Sequence, residues 1–574
     1  MVDASLELKD ASVRLRATDP SQSFIVQAPA GSGKTELLAQ RYLRLLACVE
    51  KPEQILAITF TRKAASEMRN RILKYLQQGR GAQPDEPHQV TTWELARAAL
   101  VANDHYGWQL ERHSSRLRIQ TIDSFNASLS RRLPLLSFMG SSMEIAQDSA
   151  PLYEAACRRL LVRLAEGSEV AGHLETLLRH LANRTSDLIA MLCDLLMRRD
   201  QWLALVMQHH DDTEALRTSI HTTLQAEVAH RLQELVKALP VDMHAELAEL
   251  VAFAAGNLLA SGVTKRDERL LETCSVLTHL PKADADGLLA WQGIADLLLT
   301  GQGEFYSSIT VSNGFPPDKK LEKTRMKKLL SDMSAIPQLS EKFAGLAHLS
   351  TELTDRQWQV LKALIRLLPE LVSMLWVEFS EQGQVDYAEV SQRALRALGT
   401  EDQPTDLGLV LDEKIQHILI DEFQDTSIAQ KQLLEQLTSG WFEGDGRTVF
   451  CVGDPMQSIY RFRQAEVGIF LGLQQDGLKN VRIESLRLET NFRSTQPIVS
   501  WVNEVFRYIM PVTDDVEMGA VSYTHCVASP RAENVGNVTF HAGINRSAIE
   551  EAKDISALVK DVLSTDPKQR IAIL

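Results

Sequence analysis

Phe24-Ile25-Val26-Gln27-Ala28-Pro29-Ala30-Gly31-Ser32-Gly33-Lys34-Thr35 is the stretch that decides the fold. Strand-forming residues run into a glycine-rich turn, and the turn runs into a helical pattern that starts at Lys34. Gly31 and Gly33 let backbone N–H groups converge on an anion at a helix N-terminus, where the helix dipole adds to the attraction. In such a loop Lys34 reaches the β- and γ-phosphates of a nucleotide and the Thr35 hydroxyl binds Mg²⁺, while Ala28, Pro29, Ala30 and Ser32 complete the cradle. Ala28 stands where this kind of loop usually has its first glycine.

Outward from the loop, short β-rich runs alternate with helical ones. Ile55–Thr59 precedes a helix from Lys63, and Leu117–Thr121 precedes Ile122-Asp123-Ser124-Phe125. The same style returns at His417–Ile420 and Val449–Val452, so the chain predicts βαβ units and a parallel sheet. A phosphate loop needs an acid from elsewhere, and Ile418-Leu419-Ile420-Asp421-Glu422 supplies two at a strand end. Asp421 is placed to hold Mg²⁺ and Glu422 to orient and deprotonate an attacking water, although both could simply cap the next helix. In Val452-Gly453-Asp454-Pro455-Met456-Gln457-Ser458-Ile459-Tyr460, Gln457 is a neutral hydrogen-bonder suited to sensing a terminal phosphate or its water. Tyr460 and Phe462 suggest a base-stacking surface nearby, whereas as isolated residues such aromatics more often lie in a core.

Between about Ile145 and Gln382 the pattern changes. Leu152–Leu164, Ser186–Met197, Ala226–Leu239 and Gln357–Phe379 space apolar residues by three and four, which predicts an all-helical insertion dividing the sheet domain. A basic run, Lys319, Lys320, Lys323, Arg325, Lys327 and Lys328, is either a solvated helix face or a contact to duplex DNA. After Leu486 further α/β text begins, with helices over Gln496–Tyr508 and Ala548–Leu563 and a strand near Asn537–His541. Ile571–Leu574 reads as a buried strand cut in mid-run, so the chain is expected to stop inside a domain.

Composition narrows the partners. The 574 residues carry 61 basic and 75 acidic side chains, a net charge of −14, which excludes a protein that coats nucleic acid with a bulk positive field. Contact with DNA then requires a local track. The six cysteines are widely spaced without a C-x-x-C pair, so they predict reduced, mostly buried thiols and no zinc site or disulfide framework. No apolar stretch is long enough for a membrane span and no leader is legible, so a soluble, cytoplasmic protein is expected.

Five motifs in order carry a resemblance: Ala28–Thr35, Thr59-Phe60-Thr61-Arg62-Lys63-Ala64-Ala65, Ile420–Asp425, Gly453–Tyr460 and Leu488-Glu489-Thr490-Asn491-Phe492-Arg493-Ser494. Together they resemble the UvrD/Rep-type superfamily 1 DNA helicases. Thr121–Phe125 and the helical insertion are similar to the RecB/AddA branch, which acts in double-strand-break repair. The resemblance implies a P-loop RecA-like parallel-sheet domain in two parts, 1–144 and 383–486, interrupted by a helical insertion over 145–382 and followed by the start of a second RecA-like domain over 487–574. It implies ATP hydrolysis with Mg²⁺ coupled to 3′-to-5′ movement on single-stranded DNA and at single-strand/duplex junctions. A second repair protein, AddB-like, is implied as partner, and no membrane. Lys34, Thr35, Asp421, Glu422 and Gln457 keep the roles given above, Phe492 would pack near the adenine, and Arg493 would stabilise the transferring phosphoryl group. Phe60, Thr61, Arg62, Tyr460, Phe462 and Arg463 resemble the family's contacts to single-stranded DNA.

Three departures stand out. Near Val13 the family often has an adenine-reading glutamine, and Asp123 replaces a histidine common in a DNA-contacting motif. Neither the later motifs, among them a second arginine acting on ATP, nor a D…DYK-like nuclease site occurs within these residues. The chain by itself is therefore expected to bind ATP with weak or absent unwinding. The competing expectation is a non-motor ATP-binding module that docks into a repair complex through the helical insertion.

Overall fold

The structure, a computed structural model, describes residues 8–132, 143–209, 212–262, 266–400, 403–459, 465–516, 519–530, 536–543 and 547–573. The chain divides into two compact units, one formed by residues 1–145 and 385–574 and the other by 146–384.

The first unit is built on strands β1 (Phe24–Gln27), β2 (Ile55–Thr59) and β3 (Arg118–Thr121), then β6 (His417–Ile420), β7 (Thr448–Gly453) and β8 (Glu484–Arg487). Two-residue strands β4 (Glu144–Ile145) and β5 (Gln384–Val385) flank the insertion. The six-stranded sheet runs β3-β2-β6-β7-β1-β8, with its neighbours parallel. Burial on both faces accounts for the near-continuous apolar text of these strands. Phe24, Val26, Ala57, Leu419, Phe450 and Val452 face one core, shared with helices α2 (Lys34–Leu46), α3 (Arg62–Gly79) and α4 (Pro87–His105). Ile25, Leu56, Ile58, Ile418, Ile420 and Cys451 alternate with them and face the other core. That side is covered by α5 (Ile122–Arg132), α17 (Tyr387–Leu398), α18 (Asp406–Lys414), α19 (Ile428–Leu437) and α20 (Val467–Asp476). A short helix α1 (Ala11–Ala17) precedes β1.

Beyond β8, strand β9 (Thr490–Asn491) pairs in parallel with β10 (Val527–Ala528), and helices α21 (Gln496–Ile509) and α22 (Ala548–Thr565) follow the expected ranges. The strand expected over Asn537–His541 does not form. Val538 and Phe540 are exposed, and no described strand runs alongside to complete a ladder. Ile571 and Ile573 likewise lie exposed outside any strand, so alternation of apolar residues there marks no burial.

The second unit is helical: α6 (Ala150–Val162), α7 (Glu169–His180), α8 (Thr185–Met197), α9 (Arg199–Gln208), α10 (Thr213–Ala238), α11 (Val241–Ser261), α12 (Glu268–Ser275), α13 (Leu288–Leu298), α14 (Lys320–Ser334), α15 (Leu339–Gly345) and α16 (Asp355–Gln382). Helix α16 starts with a reciprocal capping box between Thr354 and Gln357 and packs on α6, α7 and α9. A core of Leu232, Leu250, Trp291, Ile294, Leu330 and Phe343 joins α10 to α15. The basic run falls on α14, where Arg325 is paired with Glu246 and Glu249 of α11. Cys157, Cys274 and Cys451 are buried, Cys193 and Cys526 are intermediate and Cys48 is exposed, so the thiols are less uniformly buried than their spacing suggested.

Candidate active site

All six strands being parallel, their carboxyl ends share one edge of the sheet, the place where ligands bind in open α/β folds. The loop after β1 keeps Gly31 (φ 77°) and Gly33 (φ 80°) in the left-handed region that glycine alone enters freely. A methyl group on Gly31 would come within 2.7 Å of Asn491 Oδ1 and 2.8 Å of Arg493 Cβ, so that position has no room for a side chain. Gly33 caps α2, leaving the first N–H groups of that helix directed at the loop. The Ser32 hydroxyl is buried without a hydrogen-bond partner, which marks a polar cradle that a phosphate oxygen would complete.

The acids arrive from two neighbouring strand ends. Lys34 Nζ donates to Glu422 Oε2 at 3.1 Å across 388 residues of chain. Glu422 is held at φ 52°, a left-handed conformation unusual for a non-glycine residue, and its N–H donates to Asp421 Oδ1 at 3.1 Å. Gln424 is buried inside the Ile420–Asp425 motif, where the sequence assigns it no role. Its Nε2 donates to Glu422 Oε2 at 3.0 Å and to Asp425 Oδ2 at 3.4 Å, while its Oε1 accepts from the Asp454 N–H at 2.9 Å. Gln457 Nε2 in turn donates to Asp454 Oδ2. One side-chain amide thus ties the Glu422 turn to the Gln457 turn.

Burial, then the neighbouring Glu422 charge, pushes Asp421 up to about 6 and Asp425 up to about 7, with Lys34 opposing both. Burial also raises Asp454. Among the described residues no three His, Cys, Asp or Glu side chains form a metal cage. Asp421 and the Thr35 hydroxyl are oxygen donors of the kind Mg²⁺ takes, one or two from protein beside waters and substrate phosphates.

The segment after β8 closes the other side of the loop. Asn491 Nδ2 donates to the Ala30 carbonyl at 3.1 Å, and the Phe492 N–H donates to the Gly31 carbonyl at 2.8 Å. Asn491 Oδ1 accepts from the N–H groups of Arg493 (2.8 Å) and Ser494 (2.9 Å). Asp10 and Arg14, which belong to none of the sequence motifs, reach the same place. The Asp10 carboxylate accepts from the N–H of Glu489 (2.9 Å), the N–H of Thr490 (3.0 Å) and the Thr490 hydroxyl (2.9 Å). Arg14 binds Asp10 and donates to the Ser32 carbonyl at 2.8 Å. Their four-residue spacing at a helix start was the available signal. Val13, close to where the family's adenine reader is expected, packs partly buried against the core.

The residues assigned to DNA are less gathered. Phe60 lines a cavity with Ile122, Ile420, Asp421, Glu422 and Asp425. Thr61 caps α3, accepting from the Ala64 N–H at 3.1 Å, and Thr61 and Arg62 are exposed. Tyr460, Phe462 and Arg463 lie outside the described residues. Asp123 falls in the first turn of α5.

With this geometry in hand, residues 10–477 match the family model described as UvrD/REP helicase N-terminal domain. Curated relatives, each named as the A-type subunit of an ATP-dependent helicase/nuclease, match over most of this chain. The protein of Lysinibacillus sphaericus (strain C3-41) is 25% identical over 524 residues, covering 85% of this chain and 39% of the relative. That of Exiguobacterium sibiricum is 25% identical over 536 residues, covering 90% and 41%. The Listeria welshimeri protein is 24% identical over 512 residues, covering 85% and 38%. The chain therefore spans about two fifths of the length of these relatives. Among the described residues no helix is long and apolar enough to cross a membrane.

Proposed function

The chain belongs to the UvrD/REP helicase family, and on that premise we propose that it is the motor portion of an ATP-dependent DNA helicase or translocase of double-strand-break processing. The observation that carries the reading is the Lys34–Glu422 contact at 3.1 Å, which brings the loop amine and the candidate base to one sheet edge. Lys34 and the N-terminal amides of α2 hold the phosphates. Glu422, displaced from Lys34 when phosphate takes its place, orients and deprotonates the attacking water. Thr35 and Asp421 would hold Mg²⁺, which would supply charge neutralisation on the phosphate oxygens. Gln457 senses the terminal phosphate, and Gln424 makes its position depend on that of Glu422. Arg493 stabilises the charge that develops during transfer, a role worth several orders of magnitude in rate in such enzymes.

Residues 487–574 then form the start of a second RecA-like domain. Single-stranded DNA passes over Phe60, Thr61, Arg62, Tyr460, Phe462 and Arg463, moving 3′ to 5′. Stacking worth about 1–3 kcal/mol per base grips any sequence and still permits release. The relatives are by name subunits of a helicase/nuclease, which supports a second protein as partner. The test is phosphate release by the protein purified as the cell makes it, with and without an oligo(dT) strand. DNA-stimulated release that is abolished by Lys34→Ala and Glu422→Gln is expected. Nucleotide and DNA binding without coupled turnover would replace the motor with an ATP-binding docking module.

A further inference from the structure

Phe492 is about half exposed at the mouth of the phosphate loop, and one cation lies against it. The Arg14 guanidinium carbon sits 5.0 Å from the centre of the Phe492 ring. Arg14 Nε and Nη2 are fastened to the Asp10 carboxylate at 2.9 and 3.0 Å, and Nη2 also donates to the Ser32 carbonyl. The third nitrogen, Nη1, lies over the loop: a methyl group on Gly33 would stand 3.7 Å from it and 3.8 Å from the Phe492 ring. A planar, permanently charged guanidinium fixed on one edge and stacked on an aromatic is preorganised to lie flat against a second π-system.

Two backbone anchors set this pair beside the phosphate cradle and not elsewhere. Phe492 is tied to Gly31 through its N–H, and Asp10 grips the amides of Glu489 and Thr490 just before it. Asp10 alone would suffice to dock α1 on this segment, since it accepts three bonds from Glu489 and Thr490 without Arg14. The geometry left over for Arg14 is a surface next to Gly33, flanked by the Phe492 ring.

We propose that Arg14, held by Asp10, forms with Phe492 the wall against which the nucleoside half of a bound nucleoside triphosphate rests, making Arg14 a positioning residue for the base and ribose. The inference rests on the reading of the loop as an ATP site. It assigns nucleoside positioning to a residue next to Val13, where the expected glutamine is absent.

The experiment compares two probes on the purified chain: ATP, and inorganic tripolyphosphate, which lacks a nucleoside. Arg14→Ala is expected to weaken ATP binding about tenfold, the loss of a desolvated cation–π contact, while tripolyphosphate affinity changes less than about twofold. Arg14→Lys, which keeps the charge and loses the plane and the two-pronged Asp10 contact, should recover little of the ATP affinity. Phe492→Leu should weaken ATP likewise, and in the Arg14→Ala background should add less than it does alone. Equal losses for ATP and tripolyphosphate would mean that Arg14 merely shapes the loop, and would overturn the proposal. So would unchanged ATP affinity in Arg14→Ala with Lys34→Ala still abolishing it, which leaves the ATP site standing. Failure of the unsubstituted chain to bind either probe would overturn both readings.

Discussion

The two edges of the central sheet bury polar groups in opposite ways. At the amino ends of the strands, the fully buried Arg41 donates to the carbonyls of Ala17, Asp19 and Gln22 and to the Thr448 hydroxyl, and lies against the rings of Phe24 and Phe450. His417 shares that Thr448 hydroxyl at 2.8 Å, and burial together with the Arg41 charge pushes it down to about 4, so it is neutral. Oxygen acceptors meet both terminal nitrogens of that cation, and its Nε is buried without a partner. At the carboxyl ends, Asp421, Glu422, Asp425 and Asp454 crowd together, with Lys34 bonded to Glu422. The first arrangement stabilises the unit, whereas the second holds like charges in a low-dielectric place and is relieved by protonation or by a bound cation. Such an edge is the expected signature of a site, because binding recovers what folding gave up.

The comparison breaks most visibly at Lys34. Lys34→Ala should lower phosphate release by on the order of 10³-fold, from loss of a directed charge on the phosphates, with little loss of folding stability. Glu422→Gln should lower it comparably while retaining nucleotide binding. Titration calorimetry beside the rate assay separates the two, and a Glu422→Gln variant that neither binds nor hydrolyses would remove Glu422 from the role of base.

Arg41→Ala should do the reverse. It leaves buried carbonyls without a donor and should cost about 3 kcal/mol in urea unfolding, with ATP affinity per folded molecule unchanged. An Arg41→Ala chain as stable as the parent would mean that the amino edge is not the anchoring edge.

The two edges should also respond to pH with opposite signs. Asp425 titrates at about 7 when folded against an ordinary value of 3.8, so its contribution is intact at low pH and is lost as pH rises through 7. For His417, about 4 folded against 6.5, stability is lost instead as pH falls from 6.5 towards 4. Asp425→Asn is therefore expected to stabilise the nucleotide-free chain by about 2 kcal/mol at pH 8, with the gain shrinking towards pH 5. Thermal unfolding at both pH values checks it, and a gain that is larger at pH 5 would reverse the sign.

The smallest effect tests which edge residues are functional at all. Thr61→Ala removes the cap of α3 and should cost about 1 kcal/mol of stability, and Thr61→Ser should restore it. If both variants keep full DNA stimulation, Thr61 belongs to the scaffold. If Thr61→Ser regains stability but not DNA stimulation, the methyl group contributes to the DNA track.

Much of this is legible in the sequence, for identifiable reasons. The strand–loop–helix at Phe24–Leu46, the acids after Ile420 and the amphipathic spacing of α16 are local patterns, and periodicity with turn chemistry encodes them within a few residues. The strand expected over Asn537–His541 failed because apolar alternation proposes a strand but only a neighbouring strand completes one. Gln424 lies within a motif and Arg14 four residues from Asp10, yet the role of each emerges only once its spatial partners are known.

By itself, then, the sequence determined the motif order, the parallel sheet and the residue types offered to a phosphate, since these follow from backbone preference and from burial pattern. Tertiary structure alone decided that Lys34 meets Glu422 across 388 residues, that Asp421 and Asp425 share one desolvated edge, and that Arg14 faces Phe492. The physical reason is that charge interaction and desolvation depend on distance through space and on the exclusion of water. Neither quantity is a function of separation along the chain.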